Sequence, residues 1–431
     1  MALTIEHEPY GWSVRGERIL FDVTSDNSGN DGFRLGVSVT DTSNLQTYTF
    51  MLTVDVDGHF YYDLSTLAVM RYDESYPTLH SNDTYHEETN GNGWRYYTVV
   101  LTEYWLIGGV LTPNTADAVS REIIVINATY QMSDGYKPNP NAIVPQPTRY
   151  ACSTFAKGYA ISDYKINTHV WHARYSVMST VYNDACYIPV RNADYGLLYA
   201  TFNSVQLTNN AADKYKIVLY RSSGPSYSWT SDSMGNLYMV GIGCYPANLN
   251  DNDGYPYKPQ DYPDWAYYVV TLVTSGGANC SNPYVFYNAD TYGQTDCKYD
   301  VVRLAWVGSR GGFNYFNFIK KSERSFTIDR KQYKTTRWRS AEPFYVSSDR
   351  VLIDRNNAVT QQLTITTDWL QEGEYEYLRG IFTSNQLHIV NSDGTMTPVS
   401  VTDTSYVQRQ IRDGKMYNLQ VKLTYSQDYW V

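Results

Sequence analysis

The chain has 431 residues, of which 42% are hydrophobic and 18% are charged, so it is long enough to bury several cores without disulfide or metal staples. Its formal net charge of −10 argues against nucleic acid as the main partner, because binding to phosphates needs a positive field. The five cysteines form no CxxC pair, which excludes the usual spacing of zinc ligands, and we expect them to be reduced and buried. The first residues lack the basic head and apolar core of a signal peptide, and the longest apolar run is too short to span a bilayer. We therefore expect neither signal-dependent export nor membrane insertion of the chain.

Tyrosine is unusually abundant, with 43 copies. Its apolar ring and polar tip suit half-buried sheets and subunit interfaces. The composition therefore predicts a sheet-rich protein with a large contact surface.

Strict alternation of apolar and polar residues dominates the first part of the chain. It runs through 33–40 and 47–56, and such period-two patterns are typical of half-buried strands. Asp57-Gly58, between apolar runs, predicts a hairpin turn because glycine supplies a positive φ. With further strands expected at 95–105 and 123–130, residues 1–135 are predicted to form a β-sandwich of the immunoglobulin or fibronectin kind.

A proline-rich segment, residues 135–150, predicts a domain boundary, because its four prolines interrupt any ladder of hydrogen bonds. Strands expected at 216–220, 237–243 and 267–273 then predict a central β-domain over residues 136–345. Residues 244–265, with four prolines and four tyrosines, are predicted to be a long insertion loop. Loops of that length are usually functional or make interactions.

The last part of the chain, residues 346–431, is predicted to be a small β-domain. Asp368 and Gln371 fit a capping box that begins a short helix over 369–380. Strands are expected at 387–390, 398–402 and 417–425, with Asp393-Gly394 as a hairpin turn. The predicted fold class is therefore all-β, with two or three β-sandwich-like domains in tandem and one short helix near the C-terminus.

Catalytic and metal-binding motifs are missing from the sequence. It has no GxSxG elbow and no P-loop, and His86-Glu87 lacks the second histidine of an HExxH motif because position 90 is Asn90. Asp26–Gly32 and Asp251–Gly254 break the spacing of calcium loops and are interpreted as turns. We therefore assign no catalytic, cofactor or metal-binding residue and expect a protein that is not an enzyme. Dispersed carboxylates of a glycoside hydrolase leave no spacing motif, so that alternative stays open.

The strongest charge imbalance lies between Lys320 and Arg339. Eight basic residues face two acidic ones, so this segment carries +6 and the remainder of the chain −16. Such a segment can dock an acidic neighbour, line a DNA channel or simply form a solvated strand face. The candidate interface residues are Lys320, Lys321, Arg324, Arg330, Lys331 and Lys334.

Two aromatic groups have alternative interpretations. Phe313, Tyr315, Phe316 and Phe318 follow Gly311-Gly312 and are expected either to pack in a core behind a tight turn or to form a platform for sugars. The insertion loop carries a second aromatic group, which we expect to be exposed and to contact a partner or a glycan: Tyr245, Tyr255, Tyr257, Tyr262 and Trp265.

Three segments resemble a known family. The sequence DGHFYYDLSTL ends the first segment, residues 50–64; the second, residues 297–318, includes Arg303-Leu304-Ala305-Trp306 and Gly311–Phe318; the third covers residues 366–403. Together they resemble virion tail proteins of crAss-like and related bacteriophages that infect Bacteroidetes.

The resemblance implies a structural tail protein of the ring, hub or adaptor type. Such a subunit would be made in the cytoplasm of the infected bacterium, would reside in the virion tail and would form a homo-oligomeric ring. Its partners would be other tail or portal-proximal proteins, with DNA in the channel as a further contact. Ring closure implies heterologous contacts, in which one face of a subunit meets a different face of its neighbour. The alternatives are a receptor- or glycan-binding virion protein at the tail tip and a glycan depolymerase.

Overall fold

The computed structural model confirms the all-β, multi-domain fold class. It divides the chain into two compact units: the first comprises Met1–Thr295, Val307–Asn314 and Ser392–Thr395, and the second comprises Asp296–Trp306, Tyr315–Asn391 and Met396–Val431. The structure describes residues 3–9, 12–14, 18–42, 45–67, 85–87, 94–126, 186–202, 213–234, 237–279, 283–290, 299–308, 312–334, 352–367, 377–384, 386–402, 419–426 and 429–430.

The first unit begins with a sandwich of two sheets. A three-stranded sheet has the order β1-β3-β6, where β1 is Leu3–His7, β3 is Leu20–Ser25 and β6 is Phe60–Asp63. A five-stranded sheet has the order β2-β9-β8-β4-β5, with β2 at Trp12–Val14, β4 at Arg34–Asp41, β5 at Gln46–Leu52, β8 at Trp94–Ile107 and β9 at Val110–Ile126. A 3-10 helix, Leu64–Thr66, follows β6.

One hydrophobic core joins these two sheets. Val37 on β4 and Val99 on β8 are buried together with Phe21 and Phe60 of the three-stranded sheet. Their period-two spacing places every second side chain on the inner face, as the alternation in the sequence predicts. The expected strands in 33–40 and 95–105 are therefore confirmed as β4 and β8.

The Asp57-Gly58 turn does not form the expected hairpin. Gly58 adopts φ +88, and its N–H donates to the carbonyl of Asp55 at 3.0 Å. The turn connects β5 to β6, but β5 pairs with β4 and β6 pairs with β3 in the other sheet. The hairpin prediction is wrong because a tight turn sets the local chain direction, whereas burial of Phe60 determines which sheet the next strand joins.

Two more sheets complete the first unit. The order of the larger is β10-β16-β15-β12-β13, and that of the smaller is β11-β14-β7. Their strands are β7 Tyr85–Glu87, β10 Cys186–Val190, β11 Leu198–Phe202, β12 Lys214–Arg221, β13 Tyr227–Thr230, β14 Leu237–Ile242, β15 Trp265–Val273 and β16 Tyr284–Asn288. Every residue of β15 and β16 is buried, so both faces of the larger sheet are covered at these strands.

The second unit is built around an eight-stranded sheet. Its order is β18-β17-β21-β22-β23-β20-β19, with β24 also pairing with β20. The strands are β17 Val302–Val307, β18 Phe313–Phe318, β19 Glu323–Lys334, β20 Leu352–Thr366, β21 Leu387–Val390, β22 Met396–Val401, β23 Gln420–Tyr425 and β24 Tyr429–Trp430. The hairpin expected at Asp393-Gly394 is confirmed, because it connects the paired strands β21 and β22.

This sheet continues across the expected domain boundary at residue 345. β19 precedes that residue and β20 follows it, and the two strands pair along all of β19. The carboxyl-terminal unit therefore begins earlier than expected, near residue 296. The boundary expected at residues 135–150 lies outside the described residues and stays a prediction.

The described part of the chain has two short α-helices rather than the single helix expected. α1, Pro246–Asp251, lies in the segment expected to be a loop, and α2 is Gly380–Thr383. Most of the helix predicted over 369–380 lies outside the described residues, although Tyr377 and Leu378 are helical. A 3-10 helix, Pro259–Asp261, also lies in the expected loop.

Candidate interaction surfaces

The hairpin of β19 and β20, here called the arm, is the most exposed regular element of the described structure. Glu323–Lys334 pairs with residues 352–364 of β20, and all twelve residues of β19 are exposed. On its other edge β20 pairs with β23 only through residues 362–366 and with β24 only at residues 358–359. Among the described strands, the distal half of the arm is thus a two-stranded ribbon with β19 at its edge.

The arm has one apolar face and one polar face. Arg324, Phe326 and Ile328 pair with Leu363, Gln361 and Val359 respectively. Directly paired residues point to the same side, so Phe326 and Ile328 continue the face on which Leu363 is buried. Yet Phe326 is 60% exposed and Ile328 48% exposed. The face that is covered in the sheet is therefore uncovered along the arm.

The six predicted basic residues lie on the arm or directly before it. Residues 320–334 contain six basic residues and two acidic ones, Glu323 and Asp329, so their net charge is +4. Lys321 forms an ion pair with Glu323, and this bond raises the pKa of the lysine. The four basic residues of β19 form no ion pair with another described residue: Arg324, Arg330, Lys331 and Lys334.

Residues 244–265 fold into a packed segment and not the exposed loop expected. Pro246 begins α1, where a missing N–H costs nothing. Asn248 is buried, and its Oδ1 accepts a hydrogen bond from the N–H of Gly196 at 2.9 Å. The side-chain amide of Asn248 therefore anchors the segment to the backbone at Gly196.

Three of the five aromatic residues expected on the surface of this segment belong to the core. Tyr245 is 4% exposed, and Tyr255 and Trp265 are each 1% exposed. The indole Nε1 of Trp265 donates to Oδ1 of Asn192 at 3.0 Å. The expectation of an exposed aromatic group is therefore wrong for Tyr245, Tyr255 and Trp265, because burying these large rings stabilises the segment more than exposing them.

The remaining two tyrosines of the segment form a half-buried cluster with Tyr227 of β13. The ring of Tyr227 stacks on Tyr257 with 4.9 Å between centroids and lies 4.8 Å from Tyr262. The guanidinium of Arg221 lies 5.5 Å from the centroid of Tyr262, and its Nε is 2.8 Å from Oδ1 of Asp264. This ion pair lowers the pKa of Asp264 and holds the arginine beside the ring.

Carboxylates are frequent in the segment that carries Tyr257 and Tyr262. Residues 251–264 contain four aspartates and one lysine, a net charge of −3. The side chain of Asp253 is 90% exposed and lies 3.4 Å from Nζ of Lys258. Burial of Tyr195, together with the 2.6 Å hydrogen bond that it donates to Asp251, raises the pKa of this tyrosine to about 12. We call the following set the tyrosine–aspartate surface: Tyr227, Tyr257, Tyr262, Asp253 and Asp261.

Three of the four aromatic residues that follow Gly312 are core residues, and the fourth, Phe316, is half-buried. Phe313, Tyr315 and Phe318 are each at most 3% exposed, which overturns the alternative of a sugar platform there. A Cβ on Gly312 would lie 2.9 Å from Cβ of Tyr199. Glycine is needed at this position because the backbone approaches that tyrosine too closely for a side chain.

Two buried titratable groups have shifted pKa values. Burial raises the pKa of the Cys244 thiol and lowers that of His388 to about 4.

Within the described ranges no group of three or more His, Cys, Asp or Glu side chains could hold a metal ion. The Asp251–Gly254 segment forms a turn, in which the N–H of Gly254 donates to Oδ1 of Asn252 at 2.8 Å. His169 and His172 lie outside the described residues.

Sequence reasoning missed two exposed apolar features. The alternation Arg324-Ser325-Phe326-Thr327-Ile328 predicts the apolar face of the arm. From the sequence, this segment was interpreted by its charges alone. The tip of the β8–β9 hairpin exposes 56% of Ile107 and 66% of Val110 around Gly108-Gly109. A glycine pair with apolar neighbours on both sides was the available signal for that turn.

Comparison with known proteins adds no relative. No protein-family model matches the chain, and the search of curated proteins finds no significant match. No α-helix among the described residues is both long and apolar enough to cross a bilayer.

Proposed function

We propose that the chain is a structural component of a bacteriophage tail that assembles by protein–protein contacts into a symmetric ring or hub around the DNA channel. The observation that carries this proposal is the arm, a hairpin that presents an apolar face and a net positive charge to the surroundings. An isolated two-stranded hairpin is at best marginally stable in water. The arm therefore suits a surface that is stabilised and buried when it meets another protein.

Two further features support a subunit whose role is contact. The chain is rich in tyrosine, a residue that is enriched at interfaces, and its sheets build several packed domains. Three segments of the sequence resemble tail proteins of crAss-like and related phages. The proposed neighbours are further copies of the chain and other tail or portal-proximal proteins, with DNA in the channel as a further contact.

Location in the particle tests this proposal directly. The gene product should be synthesised in the infected bacterial cytoplasm and recovered in purified virions, where labelled antibody or cryo-electron microscopy should place it in the tail as a symmetric assembly. The isolated protein should self-associate in sedimentation velocity experiments. Absence from purified virions would overturn the proposal.

A receptor- or glycan-binding role at the tail tip is the second candidate, and the half-exposed tyrosine cluster favours it. Aromatic planes beside carboxylates suit the stacking faces and hydroxyl groups of sugars. The double substitution Tyr257→Ala/Tyr262→Ala should then abolish binding to host cells and leave self-association intact. Tyr61→Ala, at a tyrosine that is 40% exposed in the sandwich, is the matched control. Loss of self-association with unchanged host binding would argue against this second role.

A further inference from the structure

We infer that the arm of one copy docks onto the tyrosine–aspartate surface of a second copy of the chain. This inference rests on the proposed function and specifies which two surfaces meet in the assembly. It follows from the apolar pattern of the arm, from the charges of both surfaces and from the exposure of each.

The apolar face of the arm requires a cover. Phe326 and Ile328 share a face of the arm with Val359, whose side chain is partly buried. Leu363 lies on the same face four residues farther along β20 and is buried. The opposite face is polar, with Ser325, Thr327 and Thr360. A sheet with this alternation is stable when its apolar face is buried against another layer. Along the arm the described chain supplies no such layer, because both apolar side chains of β19 remain about half exposed or more.

Charge selects the occupant. The arm with Lys320 and Lys321 carries +4, and residues 251–264 carry −3. Two arms facing each other would place like charges together, as would two tyrosine–aspartate surfaces, so each surface repels its own copy and attracts the other. The same chain therefore carries both halves of a heterologous contact, which is the kind that closes rings.

The chemistry of the two surfaces also matches. Arginines at 324 and 330 border the apolar residues of the arm, and guanidinium groups pair with carboxylates and stack on aromatic rings. The tyrosine–aspartate surface offers the exposed carboxylates of Asp253 and Asp261 in the same segment as Tyr257 and Tyr262. The Arg221–Tyr262 contact within one copy already shows that this cluster accepts a guanidinium on a ring face.

A second copy fits the arm better than DNA does. Phe326 and Ile328 lie between the two arginines, where DNA would present charged phosphates. The chain as a whole carries −10, which disfavours approach to a polyanion.

Charge reversal on each surface tests the contact. We expect Arg324→Glu/Arg330→Glu to raise the dissociation constant of self-association by about thirtyfold or more, the size of an interface hot spot. Asp253→Lys/Asp261→Lys should do the same. The combined four-residue variant should regain most of the affinity, because the substituted positions on the two surfaces are again opposite in charge. Sedimentation velocity at low and high salt measures all four proteins, and the wild-type affinity should fall as salt rises.

Matched controls separate the contact from general effects on the surface. Arg18→Glu/Lys422→Glu reverses two other exposed basic residues, and Val56→Ser removes an apolar side chain that is fully exposed. Both should leave the dissociation constant within about twofold of the wild type, because surface changes away from special features are near neutral. Phe326→Ser/Ile328→Ser should abolish self-association, and an unchanged thermal melt by circular dichroism would show that each monomer is folded.

The outcomes distinguish this inference from the proposed function. A wild-type protein that assembles together with arm variants that assemble equally well overturns the docking contact alone. Failure of the combined variant to regain affinity overturns the pairing of these two surfaces. A wild-type chain that stays monomeric and is missing from virions overturns both proposals. Loss of DNA affinity in the arm variants with unchanged assembly assigns the arm to DNA and overturns the inference.

Discussion

Ile328 and Val359 are direct partners across the arm, on the face that leads to the buried Leu363. The sheet thus continues its inward-facing pattern beyond the point where the described chain can cover it. Ile328 is 48% exposed, whereas Leu363 is 2% exposed. A single strand pair therefore passes from core to surface within a few residues.

Hydrogen exchange should reveal the two-stranded character of the arm. Amides of residues 328–334 should exchange much faster in the monomer than amides of β15, because a ribbon open on one edge and uncovered on its apolar face opens locally at little cost. β15 lies between two strands and is buried throughout. In the assembled form, the arm amides should gain protection while those of β15 stay unchanged. Equal protection of the arm in both forms would contradict the docking model.

Gly312 should tolerate no side chain. Gly312→Ala would bring a Cβ within 2.9 Å of Cβ of Tyr199, an atom that cannot move without its backbone. We expect a loss of about 1–3 kcal/mol in the free energy of unfolding, measured by urea denaturation. Gly276→Ala is the control, because the nearest atom to its Cβ would be Oγ1 of Thr274 at 3.8 Å. Equal stability of the two variants would show that the close approach to Tyr199 is relieved at no cost.

The strands were predictable where burial follows a local period. Residues 33–40 alternate because one face of β4 contacts the core, and that pattern is visible in the sequence alone. Partner choice was not predictable at Asp57-Gly58, because the pairing of the next strand depends on distant residues such as Leu20–Val23. The extent of the eight-stranded sheet across residue 345 was hidden for the same reason.

The sequence also could not predict which individual aromatic residues are buried. The prolines in residues 244–265 signal an interruption of strands, but they carry no information about which rings turn inward. Tyr255 and Tyr257 are two residues apart, yet the first is 1% exposed and the second is half-buried. For the arm, a period-two pattern predicts one apolar face and is silent about whether the chain covers it.

Substitutions at Tyr255 and Tyr257 should separate core from surface. Tyr255→Ala should cost about 3–5 kcal/mol of unfolding free energy, as for other buried aromatic rings, whereas Tyr257→Ala should cost well under half of that. Tyr255→Phe should be neutral or stabilising, since the buried hydroxyl has no hydrogen-bond partner among the described residues. Urea denaturation measures all three. A marked loss of stability in Tyr255→Phe would show that the hydroxyl is satisfied in solution.

His388 should make the second unit sensitive to acid. It is 1% exposed, and burial lowers its pKa to about 4, below the ordinary value near 6.5. The unfolded chain therefore binds a proton that the folded chain refuses, and His388 should reduce stability as the pH falls from about 6.5 to about 4, by up to about 1.4 kcal/mol per pH unit. Urea denaturation of the wild type and of His388→Asn across this range measures the effect. A resonance of His388 that titrates near pH 6.5 in the native protein would contradict this prediction.

His59 should show the opposite dependence. Its Nδ1 lies 2.6 Å from Oδ1 of Asp22, and this hydrogen bond, together with nearby carboxylates, raises the pKa of the imidazole. The folded state therefore favours the proton, so the stabilisation is complete below the ordinary pKa of histidine and is lost as the pH rises through the raised value. His59→Ala should consequently destabilise the sandwich more at about pH 5 than at about pH 8. Unfolding free energies of wild type and variant at the two pH values measure the difference, and an equal loss at both would show that the charge on His59 contributes nothing.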